Sequence, residues 1–368
     1  MLAPAERKGV TTIENSVTVH RFQYLPVSLQ RLAYGSGILP NLRRRPLLWT
    51  QVPFFLVSMT WSLLRFVRRE RPDLIHAHWI LPQGLIAMLA KYLYGIPVIT
   101  TAHGTDAFAL QGKVTNRLKR FVVAKSDVWT SNTHATSHAV GCSVSLPKPH
   151  VIPMGINVAF FSGGNRARLR RELPRYDLLV LFVGRLEGGK GCYDLLQAYS
   201  LLSPGLRART TLWIIGDGDE SVRLKEYAAR VGAGAKIRFW GTISNSLLPD
   251  FYAAADLLAV PSITEGQGVI LLEAFAAKTC VLATRVGGIE EVVQDGLTGL
   301  LTAPHDPKQL AGAMEKLLCD ESFRAELAKN AFVQVEDYDW KKVTERFEEL
   351  YRETSRPNKR HSLASARL

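Results

Sequence analysis

The stretch Phe182-Val183-Gly184-Arg185-Leu186-Glu187-Gly188-Gly189-Lys190-Gly191 decides the fold. It ends an apolar run at 178–183 and precedes a helical pattern that begins near Cys192. A buried strand, a Gly-rich turn and a helix, in that order, open a β-α unit. Glycines let the backbone approach a ligand closely, and a helix N-terminus favours anions. Arg185 and Lys190 add two cations, which suits a diphosphate. An ordinary turn with solvated charges fits the same residues. A P-loop fits less well: Gly184-x-x-x-x-Gly189-Lys190 fills seven positions, but Gly191 stands where Ser or Thr must hold magnesium.

The same alternation runs outward in both directions. Strands are predicted at 17–22, 74–77, 97–101, 127–131 and 150–152, then at 178–183, 211–215, 237–240, 257–261 and 281–284. Helical patterns lie between them, at 84–94, 192–202, 220–231 and 268–277. Strand runs apolar on both faces indicate parallel sheets covered by helices on both sides. The break follows Val151-Ile152-Pro153-Met154-Gly155-Ile156-Asn157, where a Gly-Gly pair and a basic helical segment, 163–173, come next. The expected α/β architecture is two doubly wound domains, 1–155 and 156–336, facing a cleft. A helix at 337–354 is expected to return to the first domain, and the polar, basic tail 355–368 reads as disordered. Ligands of such sheets sit beyond the carboxyl ends of the strands.

The 368 residues are 47% hydrophobic and 21% charged, which excludes a disordered or collagen-like chain. The net charge of +13 is unevenly placed: residues 1–150 hold 18 Lys/Arg against 6 Asp/Glu, and the remainder is nearly neutral. The first half therefore faces something anionic: nucleic acid, a lipid surface or an acidic substrate. Cys142, Cys192, Cys280 and Cys319 are scattered, with no Cys-x-x-Cys spacing, which argues against a zinc site and suits a reducing cytoplasm. Residues 1–10 lack the apolar core of a signal peptide. Residues 46–64 carry no charge over 19 positions, near the span of a bilayer. Thr50, Gln51, Pro53, Ser58, Thr60 and Ser62 dilute the run, and arginines flank both ends, giving no orientation signal. It reads first as a buried helix of the α/β domain. A helix docked on an anionic bilayer is the alternative, ahead of a true span.

Other motifs sit at predicted strand ends. Glu265 lies in a Gly-containing loop after a strand, and Glu273 on the helix that follows. Eight residues along a helix is ~12 Å, whereas glycosidase carboxylates stand roughly 5–10 Å apart. The pair therefore reads as gripping two parts of a long ligand. Carboxylates accept from vicinal hydroxyls, and a nucleotide sugar has such diols at both ends. A plain surface charge is the alternative for Glu273. In Thr100-Thr101-Ala102-His103-Gly104-Thr105-Asp106, Thr105 or Asp106 suits a helix cap, and a lone His is usually structural. Val286-Gly287-Gly288-Ile289-Glu290-Glu291 and Gly216-Asp217-Gly218 mark two further turns. No Gly-x-Gly-x-x-Gly fingerprint appears, which argues against a dehydrogenase, and no Gly-x-Ser-x-Gly elbow appears.

Together these motifs resemble retaining glycosyltransferases of family 4 (glycosyl transferase group 1), which have the GT-B fold of two Rossmann-like domains. The resemblance rests on His103 to Asp106, Ile152 to Ile156, Gly184 to Gly191, the Glu-x7-Glu pair Glu265 and Glu273, and Gly287 to Glu290. It implies that Arg185 and Lys190 hold a donor diphosphate and stabilise leaving-group charge without a metal or cofactor. It implies that Glu265 contacts hydroxyls of the transferred sugar, with the 266–269 backbone (Gly266, Gly268, Val269) nearby. Glu273 would hold the ribose diol, while Gly184, Gly216, Asp217, Trp240 and Gly241 would line the rest of the donor site. His103 would contact the sugar from the opposite domain. Reaction on the front face of the sugar requires no enzyme nucleophile. The implied donor is a UDP-, GDP- or ADP-sugar, and the implied acceptor a glycan or lipid-linked precursor, at the cytoplasmic face of an anionic membrane. A nucleic-acid partner would explain the charge but none of the Gly-Glu motifs.

The chain departs from the family at its start. The opening strand, Gly-Gly loop and helix have no counterpart, and Met1-Leu2-Ala3-Pro4 resembles the end of a second strand. The expectation is an internal or truncated start, with a sheet edge or apolar gap exposed. A non-catalytic glycosyltransferase-like binding protein is the alternative reading.

Overall fold

The computed structural model describes residues 1–4, 11–14, 17–34, 37–141, 146–174, 177–231 and 236–355. Cys142 and the tail beyond Ser355 lie outside these. The described strands are β1 (Leu2–Pro4), β2 (Thr11–Glu14), β3 (Val17–Phe22), β4 (Ile75–His78), β5 (Val98–Ala102), β6 (Val128–Ser131) and β7 (His150–Val151) in the first half. The second half holds β8 (Leu178–Val183), β9 (Thr210–Ile215), β10 (Ile237–Gly241), β11 (Leu257–Val260), β12 (Cys280–Thr284) and β13 (Leu300–Thr302).

The second half is one parallel sheet in the order β10-β9-β8-β11-β12-β13. β9, β11 and β12 are buried along their whole length, as strands covered on both faces must be. The order reverses between β8 and β11. Loops leaving the carboxyl ends of strands at such a reversal diverge and leave a crevice. The Gly184–Gly191 and 261–268 loops leave from these two strands.

The first half forms two sheets where one was expected. β4-β5-β6-β7 is parallel, while β3 pairs with β1 in parallel and with β2 in antiparallel fashion. β1 falls on Met1-Leu2-Ala3-Pro4, read as the end of a strand, whereas β2 and β13 were not anticipated.

The uncharged stretch is not buried as first read. Residues Pro46–Gln51 form a 3-10 turn that continues into the helix Val52–Glu70. Leu48, Phe55 and Met59 pack with Phe22, Tyr24, Leu32 and Leu42 in a small core. That core covers only one side of the helix, so Trp49, Phe54, Val57 and Trp61 are 56–70% exposed.

The chain crosses between the halves twice, at neighbouring points. Ile156 N–H donates to the Tyr338 carbonyl and Trp340 N–H donates to the Ile156 carbonyl, both at 2.9 Å. The last helix, Trp340–Ser355, then packs Val343 and Leu350 against Ile99 and Ile152 of the first half. Leu350→Ala should lower the free energy of unfolding by about 2–4 kcal/mol, measured by urea titration, because it empties a buried contact between chain end and first sheet.

Candidate active site

The first loop turns sharply after β8. Gly184 N–H donates to the Ile215 carbonyl and Leu186 N–H to the Asp217 carbonyl, each at 3.0 Å, which ties this loop to the one after β9. A 3-10 turn, Gly188–Lys190, leads to Gly191 at φ 64°. A Cβ at Gly191 would lie 1.8 Å from the Pro261 carbonyl oxygen, so this position requires glycine on both conformational and steric grounds. Ile263 N–H donates to the Gly189 carbonyl at 2.9 Å. Main-chain contacts thus bring the β8 and β11 loops together.

Lys190 and Glu265 meet across that junction. Lys190 Nζ lies 2.6 Å from Glu265 Oε2, with the side chains only 21% and 15% exposed. Glu265 Oε1 accepts from the Gly266 N–H at 3.1 Å. Arg185 instead turns outward, 3.0 Å from Glu187, and both are well exposed. Gly268, at φ 76°, caps the helix Val269–Ala276. Glu273 sits on that helix, so the full eight-residue helical spacing does not apply: Glu265 lies in the loop before it. Glu273 is not a plain surface charge. Its Oε2 accepts from the Tyr252 hydroxyl at 2.6 Å. Burial raises the Glu273 pKa, and the Tyr252 bond opposes the rise.

Gly216 N–H donates to the Gly241 carbonyl at 2.8 Å, so the loops after β9 and β10 are joined. Asp217 is exposed on the rim, its carboxylate accepting from the Gly218 N–H at 2.8 Å. The Arg238 guanidinium stacks 3.5 Å over the Trp240 ring. Trp240 also meets Trp213 and Phe251 edge to face, and its indole N–H is buried without a partner.

The first half supplies the facing wall. A Cβ on Gly104 would lie 2.9 Å from the Gly266 Cα, so the two backbones touch. His103 immediately precedes Gly104 at the N-cap of the helix Gly104–Phe108. Its ring accepts from the Asp106 backbone N–H, and Asp106 Oδ1 accepts from the His103 N–H at 2.7 Å, a reciprocal capping box. A neutral imidazole that accepts at one nitrogen donates at the other. His103 Nε2 faces His78 Nδ1 at 3.2 Å, with the rings stacked. His76 continues the row: its Nδ1 is 2.6 Å from the Tyr351 hydroxyl and its Nε2 2.6 Å from the Thr101 hydroxyl.

Burial, with added repulsion from neighbouring imidazoles, lowers the pKa of His103 to about 4 and of His76 to about 3. Burial lowers that of His78 as well. Burial raises Asp106 to about 6, against the lowering effect of its amide bonds from Ile80 and His103. Asp106 is thus a positioning group, and His103 is neutral at neutral pH.

His76 and His78 were missed in the sequence. A His-x-His pair on a strand puts both rings on one face, and that alternation is the signal for them in the sequence. Glu291 and Gln267 were also missed as interdomain ties. The Glu291 carboxylate accepts from the backbone N–H groups of His134 and Ala135 at 2.8 and 2.7 Å. Gln267 exchanges two bonds with the Met154 backbone, at 2.7 and 3.0 Å. A hollow of about 430 Å³ behind this seam, lined by Asn132, Gln267, Glu291 and Arg346 among others, includes none of His103, Lys190 or Glu265.

Comparison with known proteins shows the family and the fold. The model for "Glycosyl transferases group 1" matches residues 165–334, and that for "Glycosyltransferase Family 4" matches residues 16–160. A D-inositol 3-phosphate glycosyltransferase of Acidothermus cellulolyticus is 32% identical over 332 residues, covering 84% of this chain and 74% of its own. One from Corynebacterium glutamicum is 32% identical over 324 residues, covering 82% and 77%. Among solved structures, a sucrose-phosphate synthase from Thermosynechococcus elongatus superposes with a TM-score of 0.80 at 23% identity, covering 96% of this chain and 88% of that one. Anabaena HepE, in complex with UDP, gives 0.74 at 21% identity, covering 91% and 86%. The chain belongs to the family 4 glycosyltransferases and has their GT-B fold.

Proposed function

We propose that the chain moves a sugar from a nucleotide-diphosphate sugar to a glycan or lipid-linked acceptor, with retention of configuration and without a metal. The observation that carries this reading is the Gly104–Gly266 backbone contact, which sets His103 and the Lys190–Glu265 pair on facing sides of one cleft. A diphosphate entering beside Lys190 competes with Glu265 for its ammonium. Exchange of partners transfers Lys190 to the phosphate and releases Glu265 to accept from a sugar hydroxyl. Both carboxylates are engaged: Glu265 by Lys190 and the Gly266 amide, Glu273 by Tyr252. Neither is set as a nucleophile, which favours front-face transfer. Glu273 retains one oxygen for a ribose hydroxyl, and Gly216, Asp217, Trp240 and Gly241 border the base. That a structural neighbour holds UDP-glucose supports a nucleotide-sugar donor. The reading extends to a cytoplasmic enzyme working at the inner face of a membrane, supported by the basic first half.

Lys190→Ala and Glu265→Ala should each lower kcat/KM by about 10²-fold or more, measured with the cognate sugar nucleotide, while circular dichroism stays unchanged. Turnover at the wild-type rate in both would refute the site. In a thermal-shift panel of UDP-, GDP- and ADP-sugars, the cognate donor at about 100 times its Kd should stabilise the fold by about 2.7 kcal/mol. No shift with any of them would count against donor binding, and a shift without transfer would favour a binding protein.

The histidine row makes a pH prediction. His76 and His103 stay neutral in the fold down to pH of about 3 and about 4, while unfolded histidine protonates near 6.5. Their stabilising contribution is complete above the unfolded value and falls as pH drops toward the folded value. Asp106, raised to about 6, works in the opposite sense over the same window. Comparing His76→Asn with the wild type leaves the Asp106 contribution common to both. The wild type should lose stability more steeply between about pH 6.5 and 4, by at most about 1.4 kcal/mol per unit, and urea titrations at several pH values measure this. Equal slopes would show that His76 does not resist protonation.

A further inference from the structure

We infer that the outward face of the segment Pro46–Glu70 docks flat on an anionic lipid bilayer. This inference rests on the membrane location proposed above and names the surface that makes it. Leu47, Trp49, Phe54, Val57 and Trp61 are 84%, 60%, 56%, 70% and 69% exposed. Five large side chains this open leave an apolar area on the order of 600 Å², at or above the upper limit of what a soluble monomer ordinarily leaves bare. On the helix, Phe54, Val57, Trp61, Arg65 and Arg68 are spaced three, four, four and three residues apart, so they form one stripe. That stripe is apolar at its start and cationic at its end. Arg43 and Arg45 stand exposed just before it, and Arg69 and Arg71 just after Arg68. The helix Leu85–Tyr94, packed beside it, also exposes Leu89, Tyr92 and Leu93.

Both chemistry and geometry select a lipid surface. Aromatic and aliphatic side chains among arginines fit the boundary between acyl chains and anionic headgroups. The segment is also long and apolar enough to cross a membrane. Crossing would strip its inner face from the first domain, where the Phe55 ring sits 5.4 Å from Phe22 and 5.2 Å from Tyr24, and the Phe66 ring 4.9 Å from His20. Lying in the interface leaves those contacts whole. The docking face also borders the cleft, because Arg44 Nε donates to Asp219 Oδ1 at 2.5 Å, on the loop after β9. An acceptor held in the bilayer would therefore reach the cleft from this side.

The test is co-sedimentation of the full chain with vesicles of phosphatidylcholine alone and of phosphatidylcholine with about 30 mol % phosphatidylglycerol. The wild type should bind the anionic vesicles at least about tenfold more tightly, with the preference weakening as salt rises. Phe54→Ser with Trp61→Ser should reduce binding about tenfold or more. Arg65→Gln with Arg68→Gln should reduce it about tenfold and flatten the salt dependence. Equal binding by the wild type and both double variants overturns the proposal. So does a wild-type dimer that the Phe54→Ser, Trp61→Ser variant dissolves without any vesicle binding, since a second copy then covers the face. The thermal shift with the sugar nucleotide, run without vesicles, separates the two readings. A donor shift without vesicle binding defeats the docking face alone, and loss of the donor shift defeats the glycosyl-transfer reading.

Discussion

The site depends on the contact between Gly104 and Gly266. A Cβ on either would sit 2.8–2.9 Å from the other residue's Cα, so the halves meet backbone to backbone with no side chain between them. The seam is then fastened around that point. Thr133 Oγ1 donates to the Gly266 carbonyl at 2.9 Å, Gln267 pairs with Met154, and Glu291 caps the helix His134–Ala139. The Glu291 bonds are charge-assisted and bidentate, the stronger class of hydrogen bond. His103 and Glu265 are each one residue from the contact. Their relation is therefore set by main chain, which is stiffer than any arrangement of long side chains.

The Lys190–Glu265 pair is a consequence of that framework and not its cause. The two residues ride on loops from β8 and β11, the strands flanking the order reversal, and those loops are joined by the Ile263–Gly189 bond and the Gly191–Pro261 approach. An ion pair at a solvent-facing cleft contributes little stability by itself. Its value is in preorganisation: the ammonium and the carboxylate are already positioned and desolvated in part. A ligand that brings both an anion and a hydroxyl can satisfy both partners at once, whereas a simple anion satisfies one and strands the other.

Legibility in the sequence followed burial. Leu178–Val183 was read with its bounds intact because a strand covered on both faces is a continuous apolar run between polar turns. Leu300–Thr302 was missed because three residues carry no period. Lys190 and Glu265 were legible because their loops carry glycines at positions where a Cβ would collide. Arg185 was read in the same motif, yet it turns to Glu187 and solvent. Glu291 caps a helix more than 150 residues earlier in the chain, so no local pattern could announce its role. The uncharged stretch at 46–64 was misread because apolar residues lie on both faces of the helix. Period then no longer distinguishes inside from outside. Only the small extent of the core around Phe22, Tyr24 and Phe55 does.

The uneven charge takes its meaning from where charges are cancelled. Within the cleft they are: Lys190 is matched by Glu265, Asp106 is held by backbone amides, and burial keeps His103 and His76 neutral. The excess of the first half therefore acts at the outside, where Arg43, Arg45, Arg65, Arg68 and Arg71 are exposed. Such charges act over about 8–10 Å in physiological salt, far enough to attract an anionic surface but too far to discriminate among sugars. The compensated cleft has the opposite properties. It exerts little long-range pull, and an occupant gains there only by replacing an existing partner at short distance. Approach and selection are then separate problems, solved on different surfaces. A change to the exposed arginines should alter encounter without altering which donor is accepted.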